Sequence, residues 1–320
     1  MKKSLKLALG LSASGAAAAV TAYGTCSLID ELLFNRHMVP PAKISRKISG
    51  CDDSHLGDFL QNNLKWLEDY GYEKHYLISD SVYKLTGYLL KAEGDSDLYL
   101  FGAHGYRSYG KKEFCAVAQY YIKKGINVFI PDHVASGESE GTHCTFGYNE
   151  VRDCMKWLSY MTENFGKDIR IVLHGVSMGC ATVTMMGGRE DLPDNVKMIV
   201  ADCGFTTAKE LFAYKLGAMG VPSGKLIEAV DKVHKIKHGF SFDALKPVES
   251  VKRAKVPMLF IHGAEDRLVP CYMVKELYEA CGSEVKDILI AQGADHAQSY
   301  MIEKEQFEAK LDKMLEIINV

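Results

Sequence analysis

"RIVLHGVSMGCATVTMMGG", residues 170–188, begins as an apolar run of strand length and ends as a run of small, helix-compatible residues. Between them lies G-x-S-x-G at 175–179. A strand that turns sharply into a helix forces Ser177 into a strained backbone and lifts its hydroxyl clear of the sheet. Gly175 and Gly179 give the crowded turn room. The amides of the helix that follows point toward that hydroxyl, so the backbone N–H of Met178 is placed to stabilise a developing oxyanion. A second match, "GESEG" at 137–141, has neither neighbour. Its strand ends several residues earlier, no helix starts after it, and Glu138 and Glu140 would oppose negative charge at Ser139. Ser139 therefore reads as a small hydroxyl in a glycine-rich turn.

Outward from residue 170, β-rich runs alternate with helix-length amphipathic ones. Strands are expected at "KHYLIS", "YKLTGYLLKA", "DLYLFGA", "NVFIPD", "RIVLHG", "KMIVAD", "VPMLFIHG" and "KDILIAQG". Helices are expected at 111–124, 148–165, 178–188, 206–217, 270–281 and 304–318. Several strands are continuous apolar runs, which implies burial on both faces. The pattern predicts an α/β chain with a doubly wound, mostly parallel, eight-stranded sheet. The first two strands, joined by "DSV", form an antiparallel hairpin at one edge. Ligands of such sheets bind at the carboxyl ends of the strands.

A serine hydroxyl needs a base, and the base needs a group to hold its tautomer. "GADHAQSY" places His296 on a glycine-containing loop after the last strand. His174 and His262 end strands beside glycine and read as structural imidazoles, whereas His234 and His238 lie in a basic helix. For the acid, Asp266 in "IHGAEDRLVP" ranks first, Asp202 at the end of another strand second, and Glu265 third. "FGAHGYRSYG" offers a second oxyanion donor, because Gly105 permits a tight turn that presents the backbone N–H of Tyr106. His104 precedes that turn and packs beneath it.

The order "GAHGY", "PDHVASGESEG", "LHGVSMGC", "IHGAEDRLVP" and "GADHAQSY" resembles the α/β-hydrolase fold. Within that fold it is most similar to membrane-anchored or secreted bacterial hydrolases related to serine aminopeptidases, acylglycerol lipases and cinnamoyl-type esterases. The resemblance covers roughly residues 60–318. It implies Ser177 as nucleophile, Asp266 as acid, His296 as base and the amides of Tyr106 and Met178 as oxyanion hole. Relatives often carry D-x-R-G-H-G where this chain has "DHVASG", so the arginine of that motif is missing here. The segment 204–256 corresponds to a lid insertion, here short, helical and rich in Phe, Leu, Ala and Met.

With 320 residues, 47% hydrophobic and 25% charged, the chain suits one large globular unit. Its net charge of −3 and lack of a long Lys/Arg run exclude a nucleic-acid surface. Residues 1–30 carry Lys2, Lys3 and Lys6, then no charge from Leu7 to Ile29. That run is about the length of a membrane span though only weakly apolar, and Ala17-Ala18-Ala19 suits a cleavage site, so an anchor and a secretion signal both fit, with the anchor favoured; a buried N-terminal helix is disfavoured because the run has no polar face to turn to water. The side of the membrane stays open, because basic residues flank the run on both ends. The expected organisation is an anchor or signal at 1–30, a linker at 31–54, and a catalytic domain at 55–320 with its lid at 204–256. Nine cysteines without a C-x-x-C pair read as core thiols, Cys115, Cys180 and Cys203 among them, and favour a reducing setting. No cofactor or metal is expected, since there is no H-E-x-x-H, phosphate loop or Cys/His ligand cluster. The expected activity is hydrolysis of a carboxylic ester through an acyl-enzyme, with a small ester or a short acyl or peptidyl compound as substrate. The alternatives are amide cleavage by the same residues and a silent, membrane-tethered binding protein.

Overall fold

The computed structural model describes residues 19–38 and 56–318. Eight strands form one sheet: β1 (Glu73–Ile78), β2 (Lys84–Leu90), β3 (Leu98–Ala103), β4 (Asn127–Pro131), β5 (Arg170–Val176), β6 (Val196–Asp202), β7 (Met258–Gly263) and β8 (Lys286–Ala291). Their spatial order is β1-β2-β4-β3-β5-β6-β7-β8. β1 pairs antiparallel with β2, and β2 antiparallel with β4. Every other pairing is parallel.

The alternation of side chains along each strand divides the core in two. Leu173, Ile199 and Phe260 face one apolar cluster, while Val172, Val200, Leu259 and Ile261 face the other. The first cluster is closed by helices Tyr148–Asn164, Met178–Gly187 and Tyr272–Ala280. The second is closed by Leu56–Tyr70, Val117–Lys123 and Lys304–Ile317. The central strands are buried throughout their length, which is why they read as continuous apolar runs.

Helix Leu56–Tyr70 was not among the expected elements, although Leu60, Leu64 and Leu67 lie on one helical stripe and Leu67 is fully buried. The helix expected at 111–124 is two helices, Gly110–Phe114 and Val117–Lys123. Between β6 and β7 the lid segment holds helices Ala208–Ala218 and Gly224–His238, a 3₁₀ turn at Phe242–Ala244 and helix Pro247–Val251.

The N-terminal region differs from the expected division at residue 30. A helix covers 19–34, so that boundary falls inside it. Cys26, Asp30 and Phe34, one helical face, are buried against the body of the protein. The uncharged run therefore cannot lie in lipid as far as Ile29, because its last turns pack on the lid. Among the described residues no helix is long and apolar enough to cross a membrane. Residues 1–18 and most of the expected linker lie outside the described residues. The eight cysteines among the described residues are free, and all but Cys271 are buried.

Candidate active site

Strand order reverses at β3, from which the chain passes to β4 on one side and to β5 on the other. A doubly wound sheet opens a crevice at the carboxyl ends of the strands flanking such a point. Ser177 follows β5 there, with φ 57° and ψ −114°, a backbone few non-glycine residues adopt. Its N–H donates to Asp202 O at 2.8 Å, which ties the turn to β6. A Cβ on Gly179 would lie 1.9 Å from Ala103 O, and one on Gly175 2.2 Å from Gly179 O. Both glycines are thus required by close backbone approach. Helix Met178–Gly187, buried along its whole length, continues from the serine.

His296 lies on the loop after β8 and Asp266 on the loop after β7. Ser177 Oγ and His296 Nε2 are 2.9 Å apart, and His296 Nδ1 donates to Asp266 Oδ2 at 2.7 Å. The other oxygen, Asp266 Oδ1, accepts the N–H groups of Leu268 and Val269 at 2.8 and 2.7 Å. Burial alone would raise the Asp266 carboxyl, but the imidazoles of His296 and His262 beside it hold it well below its ordinary range. For His296 burial acts to lower the pKa, and the Asp266 carboxylate outweighs it, so the imidazole titrates above its ordinary value. The other two candidate acids are not brought to the base. Glu265 is exposed. Asp202 is buried without a hydrogen bond to His296, its Oδ1 unpartnered, and burial pushes its carboxyl up to about 7.

The turn that carries Tyr106 starts directly beside the serine, since a Cβ on Gly105 would lie 3.3 Å from Ser177 Cβ. The Gly105 N–H is taken by Glu113 Oε2 at 3.1 Å. Neither Tyr106 N–H nor Met178 N–H has an acceptor among the described residues. His104 is buried under the turn, as expected. It accepts from His133 N, and burial pushes its pKa down to about 3. Ser139 is buried in a structural role: its hydroxyl donates to Asp132 O at 2.7 Å and accepts from Thr86 N at 2.9 Å.

A Ser-His-Asp relay at the carboxyl edge of a parallel sheet is the constellation of a serine hydrolase. The family pattern described as the prolyl oligopeptidase family matches residues 112–316, more than half of the chain. The chain belongs to the prolyl oligopeptidase family. This member is also similar to an uncharacterised protein of Bacillus subtilis, YqkD, 29% identical over 62% of this chain and 65% of that one. An uncharacterised membrane protein of Saccharomyces cerevisiae, YNL320W, is 27% identical over 68% of this chain and 70% of its own. The chain thus spans about two thirds of the length of these curated relatives. Among solved structures, the Pyrococcus furiosus esterase Pf2001 superposes with a TM-score of 0.62 at 23% identity, over 78% of this chain and 93% of that one. The α/β-hydrolase fold expected from the five motifs is the fold of this family member.

Three residues around the relay escaped the sequence reading. His262, buried and bonded to a backbone carbonyl as a structural imidazole is, donates from Nε2 to Val269 O at 2.8 Å, and the same N–H lies 3.1 Å from Asp266 Oδ2, a closeness to the acid that the sequence did not reveal. Asp295 and Arg267 join the two loops. Asp295 Oδ1 accepts both Arg267 N and His296 N, and Oδ2 accepts the Arg267 guanidinium at 2.8 and 2.5 Å. The signal was present in the sequence, since opposite charges stand immediately after Asp266 and immediately before His296.

Among the described residues one metal-like grouping lies elsewhere. Asp30, His234 and His238 bring ligand atoms within 4.8 Å of one another. The Lys237 ammonium sits on the same Asp30 oxygen at 2.7 Å, so the carboxylate already has its cation and the group is an ion-pair network.

Proposed function

We propose that Ser177, His296 and Asp266 act as nucleophile, base and acid in cleaving a carboxylic ester through an acyl-enzyme. The observation that carries this reading is the continuous hydrogen-bond chain from Ser177 Oγ through His296 to a buried carboxylate. Oγ attacks the ester carbonyl carbon while its proton passes to His296 Nε2. The carbonyl oxygen becomes an oxyanion beside the backbone N–H groups of Tyr106 and Met178. The tetrahedral intermediate collapses, the C–O bond to the alcohol breaks, and His296 returns the proton to the departing oxygen. Water then repeats the sequence on the acyl-enzyme, with the same base taking its proton. Asp266 holds the tautomer with Nε2 free and stabilises the imidazolium that forms.

The surroundings of Tyr106 are apolar. Phe146, Phe212 and Phe242 form an edge-to-face cluster between the lid and the chain after β4, and Phe146 also contacts Tyr106. Peptide or amide cleavage is the second reading, favoured by the prolyl oligopeptidase family match. Membrane attachment, if residues ahead of Cys26 provide it, would bring this site to a lipid surface.

A fluorophosphonate probe is expected to label the wild type and Ser139→Ala but not Ser177→Ala. A folded wild type that takes no label overturns the proposal. Turnover of short p-nitrophenyl esters against aminoacyl anilides then divides ester from amide cleavage, and faster anilide turnover would reverse the order of the two readings. Retention of the full-length protein in the membrane pellet after carbonate washing supports the attachment, whereas release into the supernatant removes it.

A further inference from the structure

The last turn of the helix at 19–34 meets two parts of the molecule far away in sequence. On one side it meets the lid. Asp30 bonds His234 Nδ1 at 2.6 Å, Lys237 Nζ at 2.7 Å and His238 Nε2 at 3.0 Å. Phe34 packs among His234, Phe212, Phe242 and Phe146. On the other side it meets the turn that carries Tyr106. The Tyr106 hydroxyl donates to Leu33 O at 2.6 Å. The Arg107 guanidinium donates to Leu32 O at 2.9 Å, to Met38 O at 2.8 Å and to the Tyr106 hydroxyl at 2.7 Å. Leu32 and Leu33 are in the last turn of the helix, where carbonyls lack intrahelical donors and the helix dipole is negative. A guanidinium there satisfies both conditions.

The turn has few holds of its own. Gly105 N–H is fixed by Glu113, Ser108 N returns to Gly105 O, and Arg107 has φ 56°, uncommon for a residue with a side chain. Between Gly105 and Ser108 the direction of the Tyr106 peptide therefore depends on the Tyr106 and Arg107 side chains, and both are anchored in the N-terminal segment. We propose that residues 30–38 are a strap that aims the Tyr106 N–H at the substrate oxygen, with Arg107 and the Tyr106 hydroxyl as positioning groups. This rests on the reading of Tyr106 as an oxyanion donor. The segment before the catalytic domain is in this view a component of the site.

Two variants of the intact protein test it. Tyr106→Phe removes one oxygen and keeps the backbone N–H and the ring. Arg107→Ala removes the carbonyl clamp. A donor lost outright costs about 100-fold to 1,000-fold in kcat, and a misaimed one less, so about 10-fold to 100-fold is expected, with KM within about twofold. Affinity for a trifluoromethyl ketone, which needs the oxyanion donors once Ser177 adds to it, should fall in parallel with kcat/KM across the two variants. Affinity for the corresponding alcohol, which forms no oxyanion, should not change. A merely structural loss would lower the melting temperature and move the two affinities together. Unchanged kcat in both variants overturns the proposal, as does a ketone affinity that does not follow kcat/KM. If Arg107→Ala does not fold, Tyr106→Phe carries the test alone. Turnover that survives Ser177→Ala would instead overturn the underlying catalytic reading and is scored separately.

Discussion

Ser177 and Ser139 share a five-residue spelling, and their hydroxyls meet opposite fates. Ser139 spends its hydroxyl inside the protein, donating to Asp132 O and accepting from Thr86 N. Ser139→Ala would leave both groups unpaired and buried, so a loss of about 1–3 kcal/mol in stability is expected in urea unfolding, with activity per folded molecule retained. Loss of activity without loss of stability would contradict this. Ser177 keeps its hydroxyl against His296 Nε2, and the state of that imidazole sets the pH response. Only the neutral form accepts the serine proton, and Asp266 holds the His296 pKa above its ordinary 6.5. The acid limb of kcat/KM should therefore lie above 6.5 and activity should fall as pH drops through it. Asp266→Asn should move that limb down and reduce kcat by about 10⁴-fold, the cost seen when this tautomer control is lost in other serine hydrolases. A wild-type limb below 6.5 would show that the carboxylate does not control the base.

At the scale of elements, the site depends on two loops that leave neighbouring parallel strands. β7 delivers Asp266 and β8 delivers His296, and the parallel pairing of Gly263 with Ala291 fixes where both loops start. Register alone does not set their separation farther out. Backbone bonds from Ala264 N to Ala291 O and from Glu265 N to Ala294 O hold them together first, and beyond these the Arg267 N–H and guanidinium both bridge to Asp295, so each partner is adjacent in sequence to Asp266 or His296. Arg267 is more than half exposed, so the pair contributes little to global stability and much to local geometry. Arg267→Ala is expected to lower kcat about 10-fold while the melting temperature moves by a few degrees at most. A change confined to KM would argue that the bridge serves substrate binding instead. The glycine pair of the elbow is a second case of geometry set between elements, since the clash at Gly179 is with the backbone of β3.

For the whole molecule, the N-terminal helix and the lid behave as one unit through Asp30. That carboxylate is fully buried, and its pairing with His234, Lys237 and His238 outweighs the burial that would raise its pKa. Its folded pKa lies below the ordinary 3.8, so its contribution to stability is present above that pH and disappears as pH falls. Asp30→Ala would leave His234 buried and Lys237 without its innermost partner. A loss of about 3 kcal/mol in unfolding at neutral pH is expected, and the difference from wild type should shrink progressively as pH falls below 3.8, the ordinary value of the carboxyl. A loss that does not shrink would indicate a packing effect rather than the ion-pair network.

Strand periodicity, turn residues and the elbow were legible in the sequence because they are local. An apolar run of strand length is buried whichever strands flank it, and a serine between a strand and a helix is raised wherever that pair occurs. The eight strands and the choice of Ser177 over Ser139 as candidate nucleophile follow from such features, whereas the lid segment was expected only from the family resemblance. The meeting of distant chain segments was not legible. Asp202, Asp266 and Glu265 all end or follow strands, and only the path of the loop after β7 places one carboxylate on His296. The N-terminal run reads as an uncharged, weakly apolar stretch, yet the helix that ends it packs on the lid and on the Tyr106 turn, because Asp30 and Phe34 find partners more than one hundred residues away. Local chemistry is encoded in neighbours along the chain, whereas the partner of a charge or a ring is chosen by the packing of elements that sequence distance does not reveal.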